Sequence, residues 1–263
     1  MSDLRTLCAD LAAEHEALDE VVESLSDEQW LLATSSPGWA IVDQVGHLRY
    51  FDGTAALAVS DPDAFRASFD ALVAAAGGAG IDDFTLGDFR RAGASERVTL
   101  WRENRSRLLA AANSLTEGQR VPWYGPSMGA ASFITARLME TWAHGQDIVD
   151  ALGVSRVATD RLRHIAQLGV ITRAWSYRVR GEDVPEGDVR VTLRAPSGAD
   201  WTWGSDCADD EITGSAEDFC LVVTQRRHVD DTDLQAGALG RHWLERAQAF
   251  AGGPTTGPAP RGR

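Results

Sequence analysis

Two histidines and a carboxylate fall at spacings that could build a metal site. In "METWAHGQDIVDALG", residues 139–153, Glu140, His144 and Asp147 recur at i, i+4 and i+7 and so share one stripe of a helix, while Leu138, Ile148, Val149 and Leu152 supply apolar packing. In "DQVGHL", His47 follows Asp43 by one turn. Imidazole nitrogens and a carboxylate oxygen ligate divalent metals. A set of His47, Glu140 and His144 presented from two helices leaves coordination positions for water or substrate, as catalytic zinc sites do. Asp43 and Asp147 are candidates to accept the second N–H of a ligating imidazole and fix its tautomer. The same spacing also describes an ordinary hydrogen-bonded polar stripe, because E-x-x-x-H lacks the specificity of H-E-x-x-H. Both readings stand from spacing alone, and two imidazoles with a carboxylate suit zinc, iron, nickel or manganese. His15, His164, His228 and His242 have no comparable neighbours and read as structural or exposed.

The elements that must position these residues are mostly helical. Leu4, Leu7, Leu11, Leu18, Val22 and Leu25 keep helical spacing, and "SDEQ" from Ser26 is a capping box for a short following turn. "SSPGW" at 35–39 is a turn. A helical period resumes near Ala40 through Ile41, Val45, Leu48 and Ala55, with Trp39 placed as a hydrophobic staple at its start. "DPDAFRASFDALVAAAGGAG" predicts a shorter helix ended by glycines, and "SERVTLWRENRSRLLAAANSL" a long one with Leu100, Leu108 and Leu109 facing inward. A loop containing "VPWYGPSMG" leads into the helix bearing Glu140 and His144. A further helix is expected over Thr159–Arg178, followed by the linker "RGEDVPEGD" at 180–188. Beyond it "VRVTLRAP" and "DWTWG" alternate as strands around the turn "SGA", and "SAEDFCLVVTQRRH" and "GRHWLERAQAF" return to helical spacing. These patterns predict a helical domain over 1–182, a small α+β domain over 186–252 and a disordered Gly/Pro tail over 253–263.

Composition narrows the function. A chain of 263 residues with 44% apolar residues can bury a core. The longest purely apolar run, "ALVAAA" at 71–76, is far short of the roughly 18 residues a membrane helix needs, and acids occupy the N-terminal stretch where a signal peptide is apolar. A soluble, cytoplasmic protein is the expectation. A net charge of -14 with no basic stripe argues against nucleic acid and anionic membranes as partners. Cys8, Cys207 and Cys220 lack CxxC spacing and suggest packing residues rather than a disulfide framework or cysteine zinc site.

"PGWAIVDQVGHL" opening one helix and "RLMETWAHGQDIVDALG" in another together resemble the mycothiol-dependent maleylpyruvate isomerase family, within the DinB-like metal-binding superfamily. The matching positions are Pro37, Gly38, Trp39, His47, Leu48, Glu140, His144 and Asp147. The resemblance implies a mainly α chain: an N-terminal DinB-like up-and-down helical bundle, then a small α+β C-terminal domain closing over one side of the site. It implies zinc on His47, Glu140 and His144, with mycothiol as the thiol cosubstrate. A metal lowers a bound thiol's pKa, so that thiolate forms at neutral pH. In a maleylpyruvate-type reaction the thiolate adds to a conjugated double bond, the resulting single bond rotates, and elimination releases the thiol and the trans isomer. In an S-transferase the sulfur stays attached. Asp147 and Arg137 are the catalytic candidates, Arg137 as a cation for a dicarboxylate one turn before Glu140. Arg226, aligned with a family arginine but adjacent to Arg227, and Trp123 with Tyr124 are the cofactor-binding candidates. The alternatives are a metal-dependent hydrolase on the same scaffold, or a ligand carrier or regulatory module without catalysis. Substrate identity and pairing into a homodimer stay open at this level.

Overall fold

The computed structural model describes residues 3–76 and 80–261. The chain divides into two compact units, Met1–Ser155 and Arg156–Arg263. The first is a helical bundle. Its α1 (Leu4–Val22) is capped by Asp3, whose side chain accepts from the Thr6 amide at 2.7 Å, and buries Leu7, Leu11, Leu18 and Val22 as the spacing predicts. α2 (Asp27–Trp30) starts on the expected capping box, Ser26 and Gln29 exchanging side chain to backbone bonds in both directions.

The Pro-Gly turn, with Gly38 at φ 79°, then delivers α3 (Ile41–Ser60). α4 (Pro62–Ala76) follows directly; Gly77 and Gly78, read as its stop, lie outside the described residues. α5 (Ile81–Arg91) is a helix the periodicity does not anticipate; it buries Thr85, Leu86 and Phe89. In α6 (Ala94–Ala112) the inward positions belong to Val98, Trp101 and Leu108, while Leu100 and Leu109 are only half-buried, so the expected face is rotated toward the tryptophan. Strands β1 (Arg120–Val121) and β2 (Met128–Gly129) pair antiparallel and lead into α7 (Ala130–Leu152), which ends at Gly153 in the left-handed conformation. The long helices pack in a cycle, α3 on α6, α6 on α1, α1 on α7 and α7 on α3.

The core of this unit gathers Leu18, Val22, Trp30, Ile41, Val45, Leu48, Phe89, Trp101 and Ile148. Trp30 and Trp101 are fully buried, each under a guanidinium: Arg97 at 5.5 Å and Arg105 at 4.9 Å from the ring centroid. Arg97 also donates to the carbonyls of Phe89 and Arg90, satisfying the C-terminal end of α5.

The second unit begins at Arg156, ahead of the 180–188 linker where the sequence changes character. The single helix expected over 159–178 is two, α8 (Leu162–Ile171) and α9 (Arg173–Arg178), broken at Thr172, whose hydroxyl turns back onto the carbonyls of Leu168 and Gly169. β3 (Val189–Arg194) and β4 (Asp200–Trp203) form the anticipated hairpin. β5 (Asp210–Ser215) adds in parallel on the other side of β3, and β6 (Gln235–Ala236) closes the order β4-β3-β5-β6. "DEITGS" gives little strand signal because Ile212 is its only large apolar residue. α10 (Ala216–Val223) packs on α8, and its helical spacing stops short of "TQRRH" because Gln225 takes φ 60° and Arg226 N bonds Leu221 O at 2.7 Å. α11 (Ala238–Leu244) follows.

The tail is tied at several points: Thr255 bonds Gln225 and Gln248, and the Arg261 amide bonds Asp231. All three cysteines are free thiols, Cys8 and Cys220 buried and Cys207 exposed. Among the described residues no helix is long and apolar enough to cross a membrane.

Candidate metal centre

α3 and α7 lie side by side, and their facing residues bring His47, Glu140 and His144 together. His47 Nε2 lies 3.6 Å and His144 Nε2 3.1 Å from the same oxygen, Glu140 Oε2. The two imidazole centroids are 4.4 Å apart. The three ligand atoms all lie within 4.8 Å of one another. Donors about 2.0–2.1 Å from a tetrahedral zinc ion stand roughly 3.3 Å apart, so these separations fit one shared ion.

The protonation chemistry points the same way. His144 Nδ1 stands 2.5 Å from Gln44 Oε1, while Gln44 Nε2 donates to Thr34 Oγ1 at 2.8 Å and Ser36 Oγ at 3.1 Å. With its NH2 committed to two hydroxyls, the amide presents its oxygen to His144, which places a proton on Nδ1 and turns Nε2 toward Glu140. Burial pushes the His47 imidazole down to about 4, repulsion from His144 adds to this, and Glu140 opposes it, so His47 is neutral near pH 7. Burial alone would raise the Glu140 carboxyl; the hydrogen bonds with His144 and His47 outweigh it and hold the group well below the usual range. An ion held by these three donors would take the place of the protons that tie the imidazoles to the carboxylate.

The surroundings are aromatic. Trp39 stacks over His144 at 6.2 Å and leans on His47 at 5.4 Å, while its Nε1 donates to Asp82 at 2.9 Å. The expected staple is thus part of the site wall. Phe51 covers the other side of His47 at 4.5 Å.

The remaining predicted residues take other places. Asp43 is no imidazole partner: it accepts from the Ala40 amide at the start of α3 and from Arg90 Nε at 2.7 Å, and Gln44, invisible to a search for charges, holds His144 instead. Asp147 accepts from Ser35 Oγ at 3.0 Å, which pins the turn that carries Trp39. Arg137 is 3% exposed and donates to the fully buried Asp52 at 2.9 Å, so its charge is already matched, although it still disfavours the protonated form of His47. Asp52 also accepts from Trp101 Nε1 and stands 3.6 Å from buried His15.

Trp123 stacks on Phe65 at 5.7 Å, and Tyr124 packs on Phe51, Phe65 and Phe69; both pack the loop onto the bundle, and Phe51 stands between them and His47. Arg226 belongs to the second unit, where its Nη1 donates to Thr224 O at 2.6 Å.

A helical bundle that presents two histidines and a glutamate between neighbouring helices, with an α+β unit behind it in sequence, defines a recognisable class. Within it, the chain belongs to the mycothiol maleylpyruvate isomerase N-terminal domain family, whose model matches residues 11–149. Its similarity extends to uncharacterized proteins from two strains of Mycobacterium tuberculosis, each 45% identical over 258 residues, covering 98% of this chain and 100% of the relative. In fold it is similar to a crystal structure of the mycothiol-dependent maleylpyruvate isomerase at TM-score 0.57 and 14% identity, with 97% of each chain covered. A histidine-to-alanine mutant of that isomerase gives a TM-score of 0.56 over the same coverage.

Proposed function

We propose that the protein is a metal-dependent, mycothiol-using enzyme of the cytoplasm, an isomerase or S-transferase acting on a small electrophile of the maleylpyruvate kind. The observation that carries this reading is the convergence of His47 Nε2 and His144 Nε2 on Glu140 Oε2. Three such donors are the number catalytic zinc sites use. Membership of the family adds mycothiol as the thiol.

When bound, the metal supplies a lowered thiol pKa, making thiolate available at neutral pH. The chain's own residues do the rest. Gln44 keeps His144 Nε2 turned toward Glu140, and Glu140 contributes the negative charge that would balance the cation. Trp39 and Phe51 wall the histidines with apolar rings, which favours an unsaturated, weakly solvated substrate body. Asp147 acts at one remove, through Ser35 and the Trp39 turn. Arg137, tethered by Asp52, adds a fixed positive field beside the triad.

Sulfur adds to the activated double bond and its π electrons move onto the conjugated carbonyl; after rotation they return and expel the thiolate to give the isomer, whereas protonation at carbon by the proton the thiol gave up leaves an S-conjugate. The test is metal content of untagged protein by mass spectrometry, wild type against His144→Ala, followed by calorimetric titration with mycothiol. About one metal per chain, lost in a variant that keeps its helical circular dichroism, together with thiol binding only by the metal-loaded form, is the expected result. Wild type that purifies empty and rejects added zinc overturns the reading. Retained metal with no thiol binding, and cleavage of an ester or amide, moves the site to hydrolysis.

A further inference from the structure

The flank of α3 opposite His47 carries a second feature. By the helical period Arg49, Gly53, Ala56, Leu57 and Ser60 lie away from the triad, and with Asn104, Arg107, Ala110, Ala111 and Ser114 of α6 they line a groove of about 680 Å³. That volume is within the range of small-molecule sites, about 300–1,000 Å³.

Elsewhere in the first unit Arg97 and Arg120 are turned onto carbonyl or hydroxyl oxygens, and Arg66, Arg90, Arg91, Arg102, Arg105 and Arg137 each have a carboxylate partner. Among the described residues Arg49 and Arg107 have none, in a protein of net charge -14. Both are tied to Asn104, whose Nδ2 donates to the Arg49 carbonyl at 2.8 Å and whose Oδ1 accepts from Arg107 Nη1 at 3.3 Å. The side chain of Asn104 can lie this low because position 53 is glycine: a Cβ there would stand 2.7 Å from Asn104 Nδ2. A further group lacks a partner, the buried Nε of Arg49, on a residue that lines the groove. Buried donors are ordinarily satisfied, so an unmet one beside a cavity marks where an acceptor is missing. Ala56, Leu57 and Ala111 give the groove an apolar lining.

We propose that this groove binds a small amphipathic monoanion, its anionic head held by Arg49 and Arg107 and its short aliphatic body lying over Ala56, Leu57 and Ala111. The head is recognised by guanidinium groups that the fold leaves without an acid, and the body by a strip of small side chains that leaves room for it.

The probe is decanoate, titrated calorimetrically into the full-length protein, with decanol and inorganic phosphate as separate arms. Saturable decanoate binding is expected. It should weaken about tenfold or more in Arg107→Gln and in Arg49→Gln, as loss of a charge-assisted bond requires, and persist in His144→Ala, which separates it from the metal centre. Arg107 is exposed, so its substitution leaves the melting temperature unchanged and keeps the test valid if Arg49→Gln folds poorly. No saturable binding, equal binding of decanol, equal binding of phosphate, or indifference to both substitutions overturns the proposal. So does a concentration-dependent dimer that Arg107→Glu disrupts without any decanoate binding, because the groove is then a seat for a second copy.

Discussion

Gln44→Ala removes the one group that sets the orientation of a candidate ligand without itself touching the ion. Gln44 is fully buried, its oxygen accepts from His144 Nδ1 at 2.5 Å, and its nitrogen is fixed by Thr34 and Ser36. In the variant the Nδ1–H loses its acceptor inside the protein, a penalty of about 1–3 kcal/mol, and the imidazole is free to swing or to adopt the other tautomer. Outer partners of metal-ligating histidines contribute about 10–100-fold in affinity, which is about 1.4–2.8 kcal/mol. The two routes give the same size of effect. Competition of the protein with a chromophoric chelator for zinc at neutral pH reads it directly, and Gln44→Ala should weaken binding by that factor, with His144→Ala weaker still. Gln44→Glu reverses the sign: a carboxylate facing Nδ1 makes the ring more basic, so affinity equals or exceeds wild type. Circular dichroism at the titration temperature separates lost folding from lost affinity. A Gln44→Ala variant that stays folded and binds zinc within about twofold of wild type would refute the view that this amide positions the ligand.

Three further outcomes follow from the buried polar groups and one close approach. His15 is pushed down to about 4 from 6.5, by burial first, with Asp52 opposing and Arg105 and Arg137 adding. The unfolded chain therefore holds the extra proton between those values, and this stability is complete above pH 6.5 and lost as pH falls toward 4, about 3 kcal/mol in all. Urea unfolding of wild type and His15→Gln at about pH 7.5 and 4.5 should show a flatter dependence in the variant, and parallel slopes would dismiss the assignment. Asp52→Asn leaves Arg137 buried without its anion and should cost about 3–5 kcal/mol, seen as a melting temperature lowered by roughly 10 °C; an unchanged melt means the pair is not buried as described. Gly169→Ala would put a Cβ 2.9 Å from Val223 Cγ2 and 3.0 Å from Phe219 Cε1 where α8 meets α10. Overpacking of about 1–3 kcal/mol is expected there, and a variant as stable as wild type in urea would show that this packing gives way easily.

What could be read from sequence and what could not divides along physical lines. The capping box at Ser26, the Pro-Gly turn and the start of the His47 helix are local, written within a few residues, and the structure has them at those positions. So are the i, i+4 spacing of Glu140 and His144 and the single imidazole one turn beyond Asp43. The nonlocal parts were not legible. β5 is made by its parallel pairing to β3 rather than by its own composition, and α5 by burial of Leu86 and Phe89 against the bundle.

The charged neighbours of the triad illustrate why site membership is the hardest thing to read. Asp43, Arg137 and Asp147 stand at suitable helical offsets, yet the side chain opposite each decides its work: Arg90 takes Asp43, Asp52 takes Arg137, and Ser35 draws Asp147 toward the turn before α3. A neutral amide then does what a carboxylate was expected to do. Through Ser35, Asp147 still bears on the centre, because the same turn supplies Trp39 above the histidines and Thr34 and Ser36 behind Gln44. Loop, amide and imidazole thus form one hydrogen-bonded chain that ends at His144 Nε2. Loosening the turn with Asp147→Ala should therefore act on the metal through His144, weakening zinc in the same direction as Gln44→Ala. If the chain is continuous, the double variant loses less than the two single losses added together. Strict additivity would mean that Asp147 and Gln44 act independently, and that the turn does not help to hold the ligand.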